Sequence, residues 1–430
     1  APGHDGFKVV TRPRREWGAR MTSHEDWADT EMPPAPVVPA RRGLLSAIPG
    51  RTQALASAIS LLLIVALFIG VLMWRMAWYE DQLMRPPDQY IEWQSEFFSI
   101  TGQDNISGLT GDGVVICVVD TGVDTGHSDL ALMNLVAWKD FVNDRPNPYD
   151  DQGHGTAMVG VIAADGGLRG VAPGAEILVA KAMGTEGQGD DETLGAAVDW
   201  CVTEEADIIS LSLGGAPGFD LILLSTDALE QSVRDALDAG VFVIAAAGND
   251  GEDDDGDVES PGSIEDVICV GGIDRHAVIW TGSSEGDNNG RLWPPPIILP
   301  RSDPDKKPEL VAPGKDVPVL IANKADGLAW GHASGTSAST AWMSGALAIL
   351  LEARPDLQHE GSAGGQTAIN SVKDWIEETS EGVSGHDDHY GYGRLRIDSL
   401  LTAAGVSSEP DSSQPRVPAL DPADIFAERQ

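Results

Sequence analysis

The spacing of apolar and polar positions divides the chain into stretches of different character. Residues 31–40, EMPPAPVVPA, are too rich in proline to build a core and read as flexible or polyproline-like. Residues 52–74, TQALASAISLLLIVALFIGVLMW, carry no charge at all. At ~1.5 Å rise per residue such a helix crosses the ~30 Å hydrocarbon core of a bilayer. Trp74, Trp78 and Tyr79 crowd its far end, as an interfacial aromatic belt does. The stretch is too long, and too far from the N-terminus, for an ordinary signal-peptide core.

From about residue 88 to 404 the apolar positions come in short runs. VVICVVD (114–120), EILVAKAM (176–183), DIISLSL (207–213), VFVIAAAG (241–248) and DVICVGG (266–272) are rich in β-branched residues and bounded by Gly, Pro or Asp. Several lack polar alternation, as strands covered on both faces do. Between them TAMVGVIAA (156–164), TLGAAVDWCVTEE (193–205) and ALEQSVRDALDAG (228–240) have helical character, the last closed by Gly240. The rhythm predicts an α/β domain on a mostly parallel central sheet with helices on both faces. The expected order is a flexible tail (1–51), a transmembrane helix (52–74), a linker (75–94), the α/β domain (95–404) and a disordered Pro/Ser-rich acidic tail (405–430).

Charge adds an orientation and removes some partners. Lys8, Arg12, Arg14, Arg15, Arg20, Arg41, Arg42 and Arg51 precede the apolar span, and only Arg75 and Arg85 follow before a strongly acidic region. The positive-inside rule makes this a single-pass cell-membrane protein with a cytoplasmic N-terminus and everything after about residue 76 extracytoplasmic. Acidic residues number 67 against 28 basic, a net charge of −39. Nucleic acid is excluded as a partner, because its phosphates would be repelled. A heavily solvated surface suited to salty surroundings and a surface that selects basic substrates both fit the excess. The chain begins with Ala, as after removal of an initiator Met or after truncation. Cys117, Cys201 and Cys269 have no close spacing, which excludes a CxxC motif, and their odd number excludes a fully paired disulfide framework. The expectation is unreactive structural cysteines that behave as small buried hydrophobes.

Three segments bring candidate chemistry. VVICVVD ends in Asp120 and is followed by Thr-Gly, which puts a carboxylate at the end of a buried strand, where open parallel sheets bind ligands. GHGT (153–156) sets His154 between two glycines just before an apolar helix. GTSASTAWMSGALAILLEA sets Ser337 at the start of a long hydrophobic helix. Each alone has a plain structural reading: a turn cap, a packed histidine, a helix N-cap. Together they supply the hydroxyl, imidazole and carboxylate that turn a serine into a nucleophile at neutral pH. The helix start also aims N–H groups at an oxyanion forming on a bound carbonyl.

In this order, Asp then His then Ser, the segments resemble those of the subtilisin-like serine proteases. The resemblance extends to DTGVDTGHSDL (120–130), VAPGAEILVAKAM (171–183), SLSLGG (210–215), AAAGND (245–250), KPELVAPG (307–314) and GYGRLRIDSL (391–400), and covers roughly residues 95–404. It implies a subtilisin-like α/β fold and a serine endopeptidase acting on protein or peptide substrates through an acyl-enzyme. Asp120, His154 and Ser337 would be the catalytic residues, with Asn249 as oxyanion donor. Ser212, Leu213 and Gly214 would form one substrate-binding wall, and Ala246, Ala247 and Gly248 the other. The chemistry requires no cofactor and no metal. The alternative from another class is a catalytically silent domain of this type that serves as a binding scaffold at the membrane.

The chain departs from the family pattern at Ala157, Ala341 and Trp342, where the family usually has His, Pro and His. None of these carries a proton in the implied mechanism, and the bulkier Trp342 is expected to repack its helix. The linker is also too short to hold the folding prodomain common in secreted members, so folding is unaided or assisted by another chain. DGEDDDGDVES (250–260) borders the implied primary pocket; its carboxylates would attract Lys or Arg at the substrate residue before the scissile bond (P1), yet they also fit the general acidic bias. Its alternate carboxylates suit a structural Ca²⁺ without completing an EF-hand-like loop. HDDHY (386–390) reads as a polar loop, and LWPPPIILPRSDPD (292–305) as a surface insertion, since consecutive prolines exclude helix and central strand.

Overall fold

The computed structural model describes residues 50–83, 85–213, 228–251, 258–286, 300–322 and 328–406. The chain forms two compact units, Ala1–Met73 and Trp74–Gln430. The apolar stretch is a helix, α1 (Gly50–Leu83). Its Gly50–Met76 portion, 27 residues long, reaches a mean hydropathy of 2.8 with none of its most apolar window buried.

After the end of α1, the second unit runs through α2 (Asp88–Thr101) and into the sheet. Seven strands stand in the order β2 (Asn134–Asp140), β3 (Glu176–Lys181), β1 (Val115–Asp120), β4 (Ile208–Leu211), β5 (Phe242–Ala246), β6 (Ile268–Ile273) and β7 (Leu310–Pro313), every neighbouring pair parallel. The five apolar runs became β1, β3, β4, β5 and β6. Their interiors are buried on both faces, which is why they lack polar alternation. β2 was not evident as a strand because it sits at the sheet edge and mixes exposed and half-buried positions. β8 (Val317–Leu320) and β9 (Trp330–Ala333) make a separate antiparallel pair.

Helices α3 (His154–Ala163) and α6 (Thr336–Ala353) pack on each other, with α6 lying along β4 to β7. Helices α4 (Asp191–Thr203) and α5 (Ala228–Asp238) pack on each other and on β3, β1 and β5. The two groups cover the two faces of the sheet. Helices α7 (Gln366–Thr379) and α8 (Ile397–Ala403) complete the unit. Helix α6 is buried nearly all round, as a helix apolar on every side must be.

Trp342 leaves α6 unbroken. Its ring is buried and lies 5.7 Å from both Phe97 and Phe98 of α2. The extra volume is therefore met by an aromatic seam between the two helices, and the indole N–H finds no partner among the described residues.

The cysteine expectation is corrected at two of three positions. Cys117 on β1 and Cys201 on α4 form a disulfide, with Cα atoms 5.7 Å apart. A separation of 84 residues concealed the pair, because only the crossover of α4 over β1 brings them together. Cys269 is free and buried, and burial raises its thiol pKa. The presumed insertion is also only partly at the surface. Residues 292–299 lie outside the described set, but Arg301 is buried against the Ser263 carbonyl, and Asp305 pairs with buried Lys373. Lys373 and Lys307 both reach buried Glu309, at 3.0 and 2.7 Å, which anchors that segment under β7. The tails 1–49 and 407–430 lie outside the described residues, as do 252–257, which held most of the Ca²⁺ expectation.

Candidate active site

The site forms at the carboxyl end of β1. This strand has β3 on one side and β4 on the other, so the chain reverses its direction of travel through the sheet there. Asp120, the last residue of β1, is fully buried. Its Oδ1 accepts the Thr121 N–H at 2.7 Å, and its two oxygens lie 2.8 and 2.9 Å from His154 Nδ1. The charged end of a buried strand thus meets the first residue of α3.

His154 owes its place to close backbone approach. A Cβ at Gly155 would meet the Gly122 carbonyl oxygen at 2.1 Å, so no other residue fits. The turn before it is tied by Asp150, which no sequence motif marks. This buried carboxylate accepts from the Gln152, Gly153 and Thr156 N–H groups at 3.1, 2.7 and 2.9 Å. It also accepts from the Thr121 and Thr156 hydroxyls at 3.0 and 2.6 Å. Thr121 Oγ1 in turn accepts the Gly155 N–H at 2.9 Å. Burial opposes ionisation of Asp150, but these hydrogen bonds outweigh it and hold its pKa below the ordinary carboxylate value. Burial likewise opposes charge on His154; the Asp120 charge and hydrogen bond, with the Asp150 charge, outweigh it and raise the imidazole pKa. With Nδ1–H donated to Asp120, Nε2 is the atom left to accept a proton.

Ser337 is the second residue of α6. Its Oγ donates to the Ser212 carbonyl at 3.1 Å, and Ser212 Oγ returns a bond to the Ser337 carbonyl at 3.1 Å. This reciprocal pair ties the end of β4 to the start of α6. Ser337 and His154 open onto one cavity of about 620 Å³ without a hydrogen bond between them. Asn249 lines the same cavity and is exposed; its Oδ1 accepts the Thr336 N–H and hydroxyl at 3.0 and 3.2 Å, which leaves its NH₂ for another partner.

Of the expected substrate-binding residues, Ser212, Leu213, Ala246 and Gly248 line this cavity. Ala247 points the other way along the strand end and packs with Val258 and Cys269. Gly214 lies outside the described residues. In the HDDHY loop, His386 and His389 each set Nε2 3.0 Å from a backbone carbonyl, of Pro308 and Ser283.

A carboxylate-held imidazole and a helix-start serine facing one cavity can perform acyl transfer. Comparison with known proteins narrows the lineage. The model of the subtilase family matches residues 111–393. This chain belongs to the subtilase family. Serine protease AprX of Bacillus subtilis (strain 168) is 35% identical over 273 residues, 58% of this chain and 59% of the relative. The major intracellular serine protease of the same organism is 33% identical over 253 residues, 56% of this chain and 70% of the relative. This subtilase therefore spans less than two thirds of AprX. The crystal structure of a cold adapted subtilisin-like serine proteinase superposes with a TM-score of 0.52 at 23% identity, over 68% of this chain and 91% of that one. That likeness speaks for the shared fold.

Proposed function

We propose that this subtilase is a membrane-anchored serine endopeptidase whose catalytic domain lies outside the cytoplasm. The observation that carries the catalytic reading is the Asp120–His154 pair facing the same cavity as Ser337 and Asn249. A bound peptide draws the Ser337 hydroxyl away from the Ser212 carbonyl and towards His154, a tightening that catalytic hydrogen bonds commonly undergo on complex formation. Ser337 Oγ attacks the scissile carbonyl while His154 Nε2 takes its proton. Asp120 holds the tautomer and steadies the imidazolium. The Asn249 NH₂ and the Ser337 N–H stabilise the oxyanion. His154 then gives the proton to the leaving amine, and water repeats the sequence on the acyl-enzyme.

Anchoring is supported by the length and apolarity of α1, its unburied window and the basic residues before it. The Cys117–Cys201 disulfide supports the same topology, since disulfides persist in oxidising compartments. No nucleic acid is expected as a partner, and the chemistry calls for no cofactor; calorimetric titration with Ca²⁺ tests the structural-ion reading of 250–260. A fluorophosphonate probe should label the full chain and not Ser337→Ala. Folded wild type that takes no label would reduce the protein to a silent binding domain. Impermeant amine labelling of intact cells should modify exposed Lys139 and spare Lys8; the reverse pattern would overturn the topology.

A further inference from the structure

The cavity continues beyond Ser337, past Ala246 and Gly248, to Asp250 and Glu259. The Glu259 N–H donates to the Ala247 carbonyl at 2.9 Å, which pins the residue beside the end of β5. Its side chain lies over Gly248: a Cβ built there would meet Glu259 Cγ and Cδ at 2.8 and 2.9 Å, and Ser284 Oγ at 2.6 Å. Gly248 has φ +112°, so glycine is favoured twice over. The missing side chain is what admits the Glu259 carboxyl to the cavity wall. Gly248 also exchanges hydrogen bonds with Thr336 Oγ1, at 3.2 and 3.1 Å, one residue before Ser337. Glu259 thus stands one backbone layer from the start of the helix that presents the serine.

We propose that Glu259, with Asp250 beside it, determines specificity in this cavity by receiving a Lys or Arg side chain at P1. The proposal rests on the protease reading and names its substrate class. A charge in a partly enclosed wall needs a counter-charge. Among the described residues Glu259 has no cationic partner and no Lys or Arg lines the cavity. Among the described residues the titratable groups that share the cavity with it are Asp250 after β5, Glu186 and Asp191 before and within the start of α4, and His154; its neighbour Ser260 donates to Glu230 on α5 at 3.0 Å. The nearby Arg234 is held by Glu230 at 2.8 Å. A substrate cation is the missing partner, and an Arg fork matches adjacent carboxylates well.

Burial, and then the hydrogen bond and charge of Asp250, push the Glu259 pKa up to about 7. Below that pH Glu259 holds a proton; above it the side chain is charged. The preference for a cation should grow as pH rises through this range.

The test measures kcat/KM of the full chain in detergent on peptides differing only in P1. Arg and Lys should exceed Leu and Phe by ~10-fold or more, the margin widening between about pH 6 and about pH 8.5. Glu259→Gln keeps the shape of the wall and should reverse the order. Asp250→Asn should move the pH-dependent rise to lower pH, because an amide no longer disfavours the Glu259 charge. Equal rates for Arg and Leu in wild type, or an Arg/Leu ratio unchanged in Glu259→Gln, overturns the proposal. Fluorophosphonate labelling is blind to P1 and reports on the protease reading separately. Were labelling to fail, calorimetric binding of the same peptides would still decide the preference.

Discussion

The two halves of the site are built on different terms. On the base side, His154 stands in a lattice of buried bonds: Asp120 on its ring, Asp150 under its turn, Thr121 and Thr156 between. On the nucleophile side, Ser337 is located by the start of α6 and one exchangeable hydrogen bond to the Ser212 carbonyl. The base is preset by the fold, while the nucleophile has to be turned by substrate. Damage to the first half should therefore appear in stability and chemistry together, and damage to the second in chemistry alone.

Asp120→Asn is the severest test of this contrast. It keeps the shape but frees the tautomer of His154, and kcat should fall by ~10⁴-fold. Loss of the nearby charge should also lower the His154 pKa, seen as a downward shift in the acid limb of the pH profile. A loss under tenfold would mean that the buried pair does not serve the chemistry. On the other side, Asn249→Ala should cost ~10²–10³-fold in kcat with KM little changed and unfolding by urea unaltered. A large drop in stability there would erase the distinction between the halves.

Asp150→Asn sharpens the comparison, because Asp150 is buried beneath the turn and is not among the residues that line the cavity. Several buried donors lose a charged acceptor, so stability should fall by about 1–3 kcal/mol and kcat by up to ~10²-fold through misplacement of His154. Rescue of stability without rescue of kcat would separate the two effects. The smallest expected effect is in the pH profile of wild type. His154 acts as a base only when neutral, and its pKa is raised, so kcat/KM should decline on the acid side with a midpoint above the ordinary histidine value of about 6.5. A midpoint below that value would show that Asp120 and Asp150 do not govern the ring.

What the sequence made legible follows the same division. Asp120, His154, Ser337 and Asn249 sit at strand ends and helix starts, and apolar runs mark such positions plainly. Asp150 was hidden because its importance lies in five hydrogen bonds converging from both sides of a turn, while its letter reads as one more acid in YDDQG. Glu259 was hidden by the abundance of its neighbours, since an acidic run does not tell which carboxylate turns inward. The Cys117–Cys201 bond and the Phe97–Trp342 contact join residues far apart in the chain, and only the finished packing pairs them.

That last contact fixes where a soluble form can be trimmed. Pro86 is already buried, and Phe97 and Phe98 roof the indole of Trp342. A recombinant fragment starting at Arg85 keeps the roof. One starting after Ser99 would leave a naked tryptophan on the back of the helix that carries the nucleophile, and such a fragment should clump before it can be assayed.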